Sequence, residues 1–194
     1  MHKKTIFHLA RHGETLWNIE NRIQGQLDSE LSDLGKQQAK QLALLCQPLS
    51  ITRILTSSLG RAKQTASICS QQLAVPFAVL AGIEERNFGL WQGKQTSDMH
   101  EHQNYVEITS QITDCKPEQG ESAQQVLIRF EMALKEKFKE QSNEQYLIIT
   151  HGDILRCFMT QFLQKGQSTT GYDYKNGQLI SLCYEHNLDV FIPL

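Results

Sequence analysis

The chain has 194 residues, with 19 Lys and Arg against 21 Asp and Glu, a net charge of −2 and a hydrophobic fraction of 40%. Those values suit a globular protein with a sizeable core and give no electrostatic reason to expect nucleic acid or an anionic membrane as partner. Any anion this chain binds must be held by a few local cations.

The first apolar run, Ile6 to Ala10, is five residues long and includes His8 before it meets Arg11 and His12. It is too short for a signal peptide or a membrane span, so a cytoplasmic protein is expected. The five cysteines (Cys46, Cys69, Cys115, Cys157, Cys183) are odd in number and contain no CxxC pair. Reduced thiols acting as small core hydrophobes are expected rather than a disulfide framework.

Thr5 to Ala10 reads as a first strand ending in Arg11-His12-Gly13. Ser32 or Asp33 can cap a helix through Ala39, Leu42, Ala43 and Leu45, which stops near Pro48. Ile51 to Thr56 reads as a second strand, followed by a helix from about Ser58 to Leu73, and Pro76 to Leu80 as an edge strand. From Gly82 to Gly120 the pattern is irregular and polar, which implies service to a site or hidden short helices. Helical spacing returns from Glu121 to about Gln141, with Val126, Phe130, Leu134 and Phe138 on one face. Tyr146 to Thr150 reads as a buried strand ending in His151-Gly152, and Asp153 as the cap of a helix through Leu155, Phe158 and Phe162. Lys175-Asn176-Gly177 is a turn signal before a strand from Gln178 to Tyr184, which Leu188 to Ile192 can pair. The alternation predicts one three-layer α/β/α domain over 1–194 around a mostly parallel sheet, with the segment 82–120 partly covering the site.

In open α/β sheets, ligands bind beyond the carboxyl ends of the strands. Two such ends here carry histidine followed by glycine, His12-Gly13 and His151-Gly152. A lone histidine in an apolar strand is usually a packed core residue, so the company it keeps decides the reading. Arg11 adjoins the first strand, Arg61 follows the second, and Asn18 lies in the loop after the first. Two guanidinium groups, two imidazoles and an amide donor suit a phosphoryl dianion better than they suit packing.

The run Arg11-His12-Gly13-Glu14-Thr15-Leu16-Trp17-Asn18 resembles the signature of the histidine phosphatase superfamily, the phosphoglycerate mutase-like family. Further segments follow in the family's order: Asn21-Arg22-Ile23-Gln24-Gly25, Leu31-Ser32-Asp33-Leu34-Gly35 and Ser57-Ser58-Leu59-Gly60-Arg61-Ala62. Glu85-Arg86-Asn87-Phe88-Gly89, Gly120-Glu121-Ser122 and Thr150-His151-Gly152-Asp153 complete the likeness. The resemblance implies a phosphoglycerate mutase-like fold and metal-independent, cofactor-free transfer of a phosphoryl group to His12 and then to water. It makes Arg11, Arg61 and a cationic His151 the surround of the phosphoryl oxygens, with Asn18 and Gly152 beside them. Gln24 and Gly25 become candidate substrate contacts at the pocket mouth. Glu85, three residues before Phe88-Gly89, becomes the proton donor to the leaving alcohol and then the base for water; the adjacent Glu84 is its rival.

These roles make chemical sense. Phosphate monoesters need up to ~10²¹-fold acceleration, about 28 kcal/mol off the barrier. A general acid supplies ~10²–10⁴ of that, so positioning and charge must supply most of the rest. His12 must be neutral at its attacking nitrogen, which requires an acceptor on the other. Glu85 must start protonated, which burial and a nearby dianion favour.

His100-Glu101-His102 looks like a metal motif but has no third ligand at a fixed spacing, so no metal is expected there. His2, His8 and His186 read as surface or packed residues, and Trp17 and Trp91 as walls of the pocket or core. The expected substrate is a small phosphomonoester, and the expected state a monomer or homodimer. A mutase related to the family would add cations after the Glu85 segment, yet between Gln95 and Gln119 the only Lys or Arg is Lys116. Phosphatase therefore stands ahead of cofactor-dependent phosphoglycerate mutase. A non-catalytic phosphoprotein-binding module is the third reading.

Overall fold

In the computed structural model, residues 4–139, 144–164 and 170–194 are described. The strands are β1 (Lys4–Arg11), β2 (Arg53–Thr56), β3 (Phe77–Val79), β4 (Tyr146–Thr150), β5 (Leu179–Glu185) and β6 (Val190–Pro193). They form one sheet in the order β3-β2-β4-β1-β5-β6. Neighbours from β3 through β1 are parallel, while β5 and β6 run antiparallel along the other edge.

The helices are α1 (Leu16–Ile19), α2 (Asp33–Cys46), α3 (Gly60–Leu73), α4 (Thr96–Met99), α5 (Tyr105–Ser110), α6 (Ala123–Lys139) and α7 (Gly152–Met159). Strand alternation divides the core between the two faces of the sheet. Ala10, Ile54, Leu147 and Ile149 pack with Leu42, Ala43 and Cys46 of α2 and Ala62, Ala66 and Cys69 of α3. Phe7, Leu9, Leu55 and Ile148 pack with Val126, Phe130, Leu134 and Phe138 of α6 and Ile154, Leu155 and Phe158 of α7. This is the three-layer α/β/α arrangement that the sequence predicts. Residues 152–158 are all buried, and the two charged ones among them, Asp153 and Arg156, pair with each other. No helix among the described residues is long and apolar enough to cross a membrane.

Several boundaries differ from the expected ones. Ser32 is the cap of α2, accepting from the Gly35 amide, and its hydroxyl also reaches Glu14. β2 starts at Arg53 rather than Ile51, and α3 at Gly60 rather than Ser58. α6 starts at Ala123 rather than Glu121; its expected end near Gln141 lies outside the described residues. The segment 82–120 contains a 3-10 turn at Gly89–Trp91 as well as α4 and α5. Asp153 does not cap α7: His151 occupies that place with extended backbone, and Asp153 lies inside the first turn. The helix ends at Met159, with Phe162 in a following 3-10 turn. All five cysteines are free, and four are buried. Burial pushes the Cys46 thiol up to about 11 and the Cys69 thiol, with Cys46 beside it, up to about 12.

Candidate active site

β1 and β4 are adjacent and parallel, and their register sets Arg11 opposite Thr150. The next residue on each strand is histidine, so His12 and His151 stand side by side with ring centroids 5.1 Å apart. The His12 amide donates to the Thr150 carbonyl at 3.0 Å, extending the ladder one step past the strand ends. Beyond it the chain turns against α2. A Cβ on Gly13 would lie 2.3 Å from the Gly35 carbonyl oxygen, and one on Gly35 2.0 Å from that of Glu14. Only glycine allows this close approach, which ties the end of β1 to the start of α2.

His12 is buried and its Nδ1 lies 2.7 Å from the Gly13 carbonyl oxygen, which can only accept, so Nδ1 carries the proton. Its Nε2 therefore presents a lone pair, toward which the Arg61 Nε–H donates at 3.2 Å. Burial, then Arg61 and Arg11, hold His12 well below the ordinary histidine value, keeping it neutral. The neutral tautomer expected from sequence is present, with a backbone carbonyl as its acceptor.

Arg61 is fully buried near the start of α3, and its fork is held from several sides. Nη1 donates to the Leu27 carbonyl at 2.7 Å and to Asp28 Oδ1 at 3.2 Å, and Nη2 to the Gly25 carbonyl at 2.6 Å. Asp28 also accepts from the amides of Gly60 and Arg61, so it caps α3 and orients its arginine together. Thr65, one turn further along, accepts from the Gly13 amide at 3.0 Å.

Arg11 donates through Nη1 to the carbonyls of Tyr174 (2.7 Å) and Gly171 (3.2 Å). Gly152 leaves room for it, since a Cβ there would sit 3.2 Å from Arg11 Cζ and 2.6 Å from the Gly171 oxygen. The His151 Nε2 lies 2.8 Å from Ser57 Oγ, at the end of β2, while its buried Nδ1 meets no partner among the described residues. Burial, then Arg61, His12 and Arg11, hold His151 well below the ordinary value. The expectation of a cationic His151 is thus corrected: burial and two neighbouring guanidinium groups favour the neutral form of both imidazoles.

Glu85 and Glu84 part company. The Glu85 carboxylate is buried against the first turn of α7. It accepts from the amides of Arg86 (2.9 Å), Asp153 (3.2 Å) and Ile154 (3.2 Å). Burial first, and the Asp153 carboxylate second, push its pKa up, against the pull of Arg61 and these amides. Glu84 instead accepts from Ser58 Oγ and the Gly82 amide and is absent from the cavity wall.

A cavity of about 160 Å³ joins these groups. Arg11, His12, Arg61, Glu85 and Gly152 form its inner end, with Asn18, Gln24 and Gly25 beside them. Asn18 commits its Oδ1 to the Thr15 amide and hydroxyl in a capping box. Gln24 is buried with Oε1 unpartnered among the described residues, whereas Gly25 contributes the carbonyl that holds Arg61. His151 is buried behind the wall rather than in it. The outer wall holds residues that sequence reasoning did not single out: Phe88, Tyr105 and Thr109, with Arg22, Thr96 and Thr170. Ile23 completes its apolar side. Trp91 packs beneath this wall with Ile23 and Ile108. His100 and His102 pack edge-on against Tyr105 and Trp91, and no group of three metal-ligating side chains occurs among the described residues.

An α/β sheet whose parallel strand ends set Arg11 and His12 on one cavity wall with Arg61 and Glu85, and His151 behind them, defines a histidine-centred, cation-lined site. The chain belongs to the histidine phosphatase superfamily, whose branch 1 profile matches residues 7–191. It is 34% identical over 158 residues to Probable phosphoglycerate mutase GpmB of Escherichia coli, spanning 80% of this chain and 74% of that one. Among solved structures it is similar to YhfR of Bacillus stearothermophilus, with a TM-score of 0.78 and 27% identity over 92% of this chain and 90% of that chain. A mycobacterial glucosyl-3-phosphoglycerate phosphatase bound to VO3 shares the fold, with a TM-score of 0.77 at 23% identity, covering 93% and 92% of the two chains.

Proposed function

We propose that this protein is a phosphomonoester hydrolase that works through a phosphohistidine at His12. The observation that carries the reading is the fixed tautomer of His12. Its Nδ1–H is spent on the Gly13 carbonyl, and its Nε2 lone pair shares a cavity with Glu85 and two arginines. In the first step Nε2 attacks phosphorus, the P–O bond to the alcohol breaks, and Glu85 gives its proton to the departing oxygen. Arg11 and Arg61, with the Asn18 amide, face the phosphoryl oxygens as charge spreads over them, and His151 stands beside His12 from behind the wall. In the second step the Glu85 carboxylate takes a proton from water, whose oxygen attacks phosphorus. The P–N bond breaks, returning neutral His12, protonated Glu85 and inorganic phosphate.

The outer wall supports a small, uncharged leaving alcohol. Ile23, Phe88 and Tyr105 offer apolar contact and Thr96, Thr109 and Thr170 offer hydroxyls. Among the described residues Arg22 is the one cation there, and its Nε is paired with Glu20 at 2.6 Å while Nη1 donates to the Gly93 carbonyl. Lys116 is exposed and off the cavity wall. Phosphoglycerate mutase is the second reading, favoured by the likeness to GpmB. The absence of a second cation for a carboxylate, among the described lining residues, argues against it.

The test is a panel of phosphomonoesters that includes 3-phosphoglycerate with and without 2,3-bisphosphoglycerate, following free phosphate and isomer together. Phosphate release without isomerisation, lost in His12→Ala, is the expected result. Isomerisation outpacing release would make the protein a mutase. Full release by His12→Ala would remove the phosphohistidine.

A further inference from the structure

Beside Glu85 lies a buried ionic cluster that the proposed chemistry does not use directly, with Asp153 itself on the cavity wall and the two arginines behind it. The Asp153 carboxylate receives Arg156 Nε at 2.6 Å and Nη2 at 3.3 Å, and Arg86 Nη1 at 3.4 Å. Arg86 and Arg156 are fully buried and Asp153 nearly so. Two buried guanidinium groups thus lie one residue's reach from a carboxyl that must start protonated. A carboxyl in that position would ordinarily ionise to pair with them. Here their polar hydrogens are spent elsewhere. Arg86 Nε donates to the Glu121 carbonyl, Nη1 to that of Ile108 and Nη2 to that of Cys115, while Arg156 Nη1 donates to that of Gln111. Arg156 Nη2 also donates to Cys157 Sγ at 3.3 Å, and the side-chain carboxylate that both forks share is that of Asp153.

We propose that Asp153 is a positioning residue that keeps the proton on Glu85 by taking the charge of Arg86 and Arg156 onto its own carboxylate. The inference rests on the reading of Glu85 as the acid. Asp153 acts twice: its backbone amide fixes one Glu85 oxygen, and its side chain sets the field that oxygen feels. Burial alone would push Asp153 up, but Arg156 and Arg86 together hold it below the ordinary carboxylate value, so it is the member of the pair that ionises. Other charged groups facing Glu85 are Arg61 from α3, which favours its ionised form, and Arg129 from α6, whose Nη2 donates to the Glu85 backbone carbonyl. Arg129 is itself paired with Glu121. His12 and Arg11 share the cavity from β1, and His151 stands neutral behind them. Cys157, 3.9 Å from Asp153, is pushed up by burial and remains a neutral thiol. The same two arginines bind carbonyls of the segment that carries Tyr105 and Thr109, so the cluster joins the acid's proton to the leaving-group wall.

The experiment is single-turnover phosphorylation of His12 across pH, with an alkyl phosphate, whose leaving group needs a proton, and with p-nitrophenyl phosphate, whose leaving group does not. In Asp153→Asn the arginines act on Glu85 unopposed. Its alkaline limb with the alkyl ester should move about one pH unit lower, roughly a tenfold loss on that side. The p-nitrophenyl rate should move far less. In Arg156→Met a positive charge is lost and the limb should move to higher pH, the opposite sign. Limbs that stay in place, or equal losses for both esters at every pH, would overturn the proposal by reducing the cluster to a structural one. Should Asp153→Asn fail to fold, Arg156→Met decides by its direction. A carboxyl ¹³C titration of the unaltered protein, assigned with Glu85→Gln, stands apart from both variants: Glu85 protonated beside ionised Asp153 supports the proposal, and the reverse overturns it. Glu85→Gln also separates the two ideas. If it keeps the alkyl-ester rate, Glu85 is not the acid and both fall; if it loses that rate while the Asp153 and Arg156 limbs stay put, only the present proposal falls.

Discussion

The Nε–H of Arg61 points at Nε2 of His12 across 3.2 Å, on a guanidinium whose other nitrogens are held by Leu27, Asp28 and Gly25. The lone pair that the proposed mechanism needs is therefore aimed by a fork that cannot swing away. Lysine keeps the charge but offers no second or third arm to be held. Arg61→Lys is expected to lower kcat by about 10²–10³-fold, the scale of losing one preorganised donor. Asp28→Asn, which leaves the carbonyl contacts in place, should cost about tenfold or less. Rapid-quench measurement of phosphohistidine should locate both losses in the first step.

Acid should destabilise the fold, and three buried groups of the site contribute to the slope, beside buried His8, which burial also holds below the ordinary histidine value. His12 and His151 are held well below the ordinary histidine value of 6.5, by burial first. Below about pH 6.5 these two side chains take up protons in the unfolded chain that they refuse in the folded one. Their contribution is complete above that pH and falls at about 2.7 kcal/mol per unit beneath it. Glu85 is raised above 4.5, by burial and then by Asp153, and has the other sign. Its contribution is complete below about 4.5 and is lost as pH rises, opposing the histidines by up to about 1.4 kcal/mol per unit. Urea unfolding between pH 5.0 and 6.5 should therefore show a steeper pH slope in Glu85→Gln than in the parent. Equal slopes would mean that Glu85 is ionised in the fold.

Gly152 offers a sharper steric test. A methyl group there meets the Gly171 carbonyl at 2.6 Å and the Arg11 guanidinium at 3.2 Å, and α7 is packed on every side. Gly152→Ala should cost about 1–3 kcal/mol of stability from overpacking. Because Arg11 is one of the two atoms' worth of space that must yield, inhibition by inorganic phosphate should weaken as well, by about tenfold. A fold loss without weaker phosphate binding would place the strain on the Gly171 side alone.

Which of these features the sequence disclosed follows from the range over which the physics acts. His12, Arg11 and His151 were legible because each sits just past an apolar run, and parallel strands side by side bring their carboxyl ends together. The cap of α2 is legible to within one residue, Ser32 or Asp33, because capping is a contact between neighbours three residues apart; the structure selects Ser32. Asp153 was misread for the opposite reason. Its type suits a cap, but the turn from β4 into α7 takes a single residue, so His151 fills that place. Its side chain answers to Arg86, 67 positions away. Asp28 escaped notice because its partners on α3 begin 32 positions later. The wall residues Phe88, Tyr105 and Thr109 lie in the irregular stretch, where no periodicity marks which side chains face inward.

Tyr105 tests whether that wall selects the leaving group. Its ring stacks on Trp91 with centroids 6.0 Å apart and meets His100 edge-on at 4.9 Å, so the face toward the cavity is backed by packed aromatics. A rigid aromatic wall contributes to binding any ester with an apolar body and nothing to binding the phosphoryl group itself. Tyr105→Ala should raise KM for phenyl phosphate by about 5- to 20-fold, corresponding to roughly 1–2 kcal/mol of lost contact. The Ki for inorganic phosphate should stay within about twofold, since Arg11, Arg61 and His12 are untouched. The paired measurement separates a specificity wall from a strut: a rise in both constants would mean that Tyr105 supports the inner site through α5, and an unchanged KM would mean that the alcohol leaves by another face.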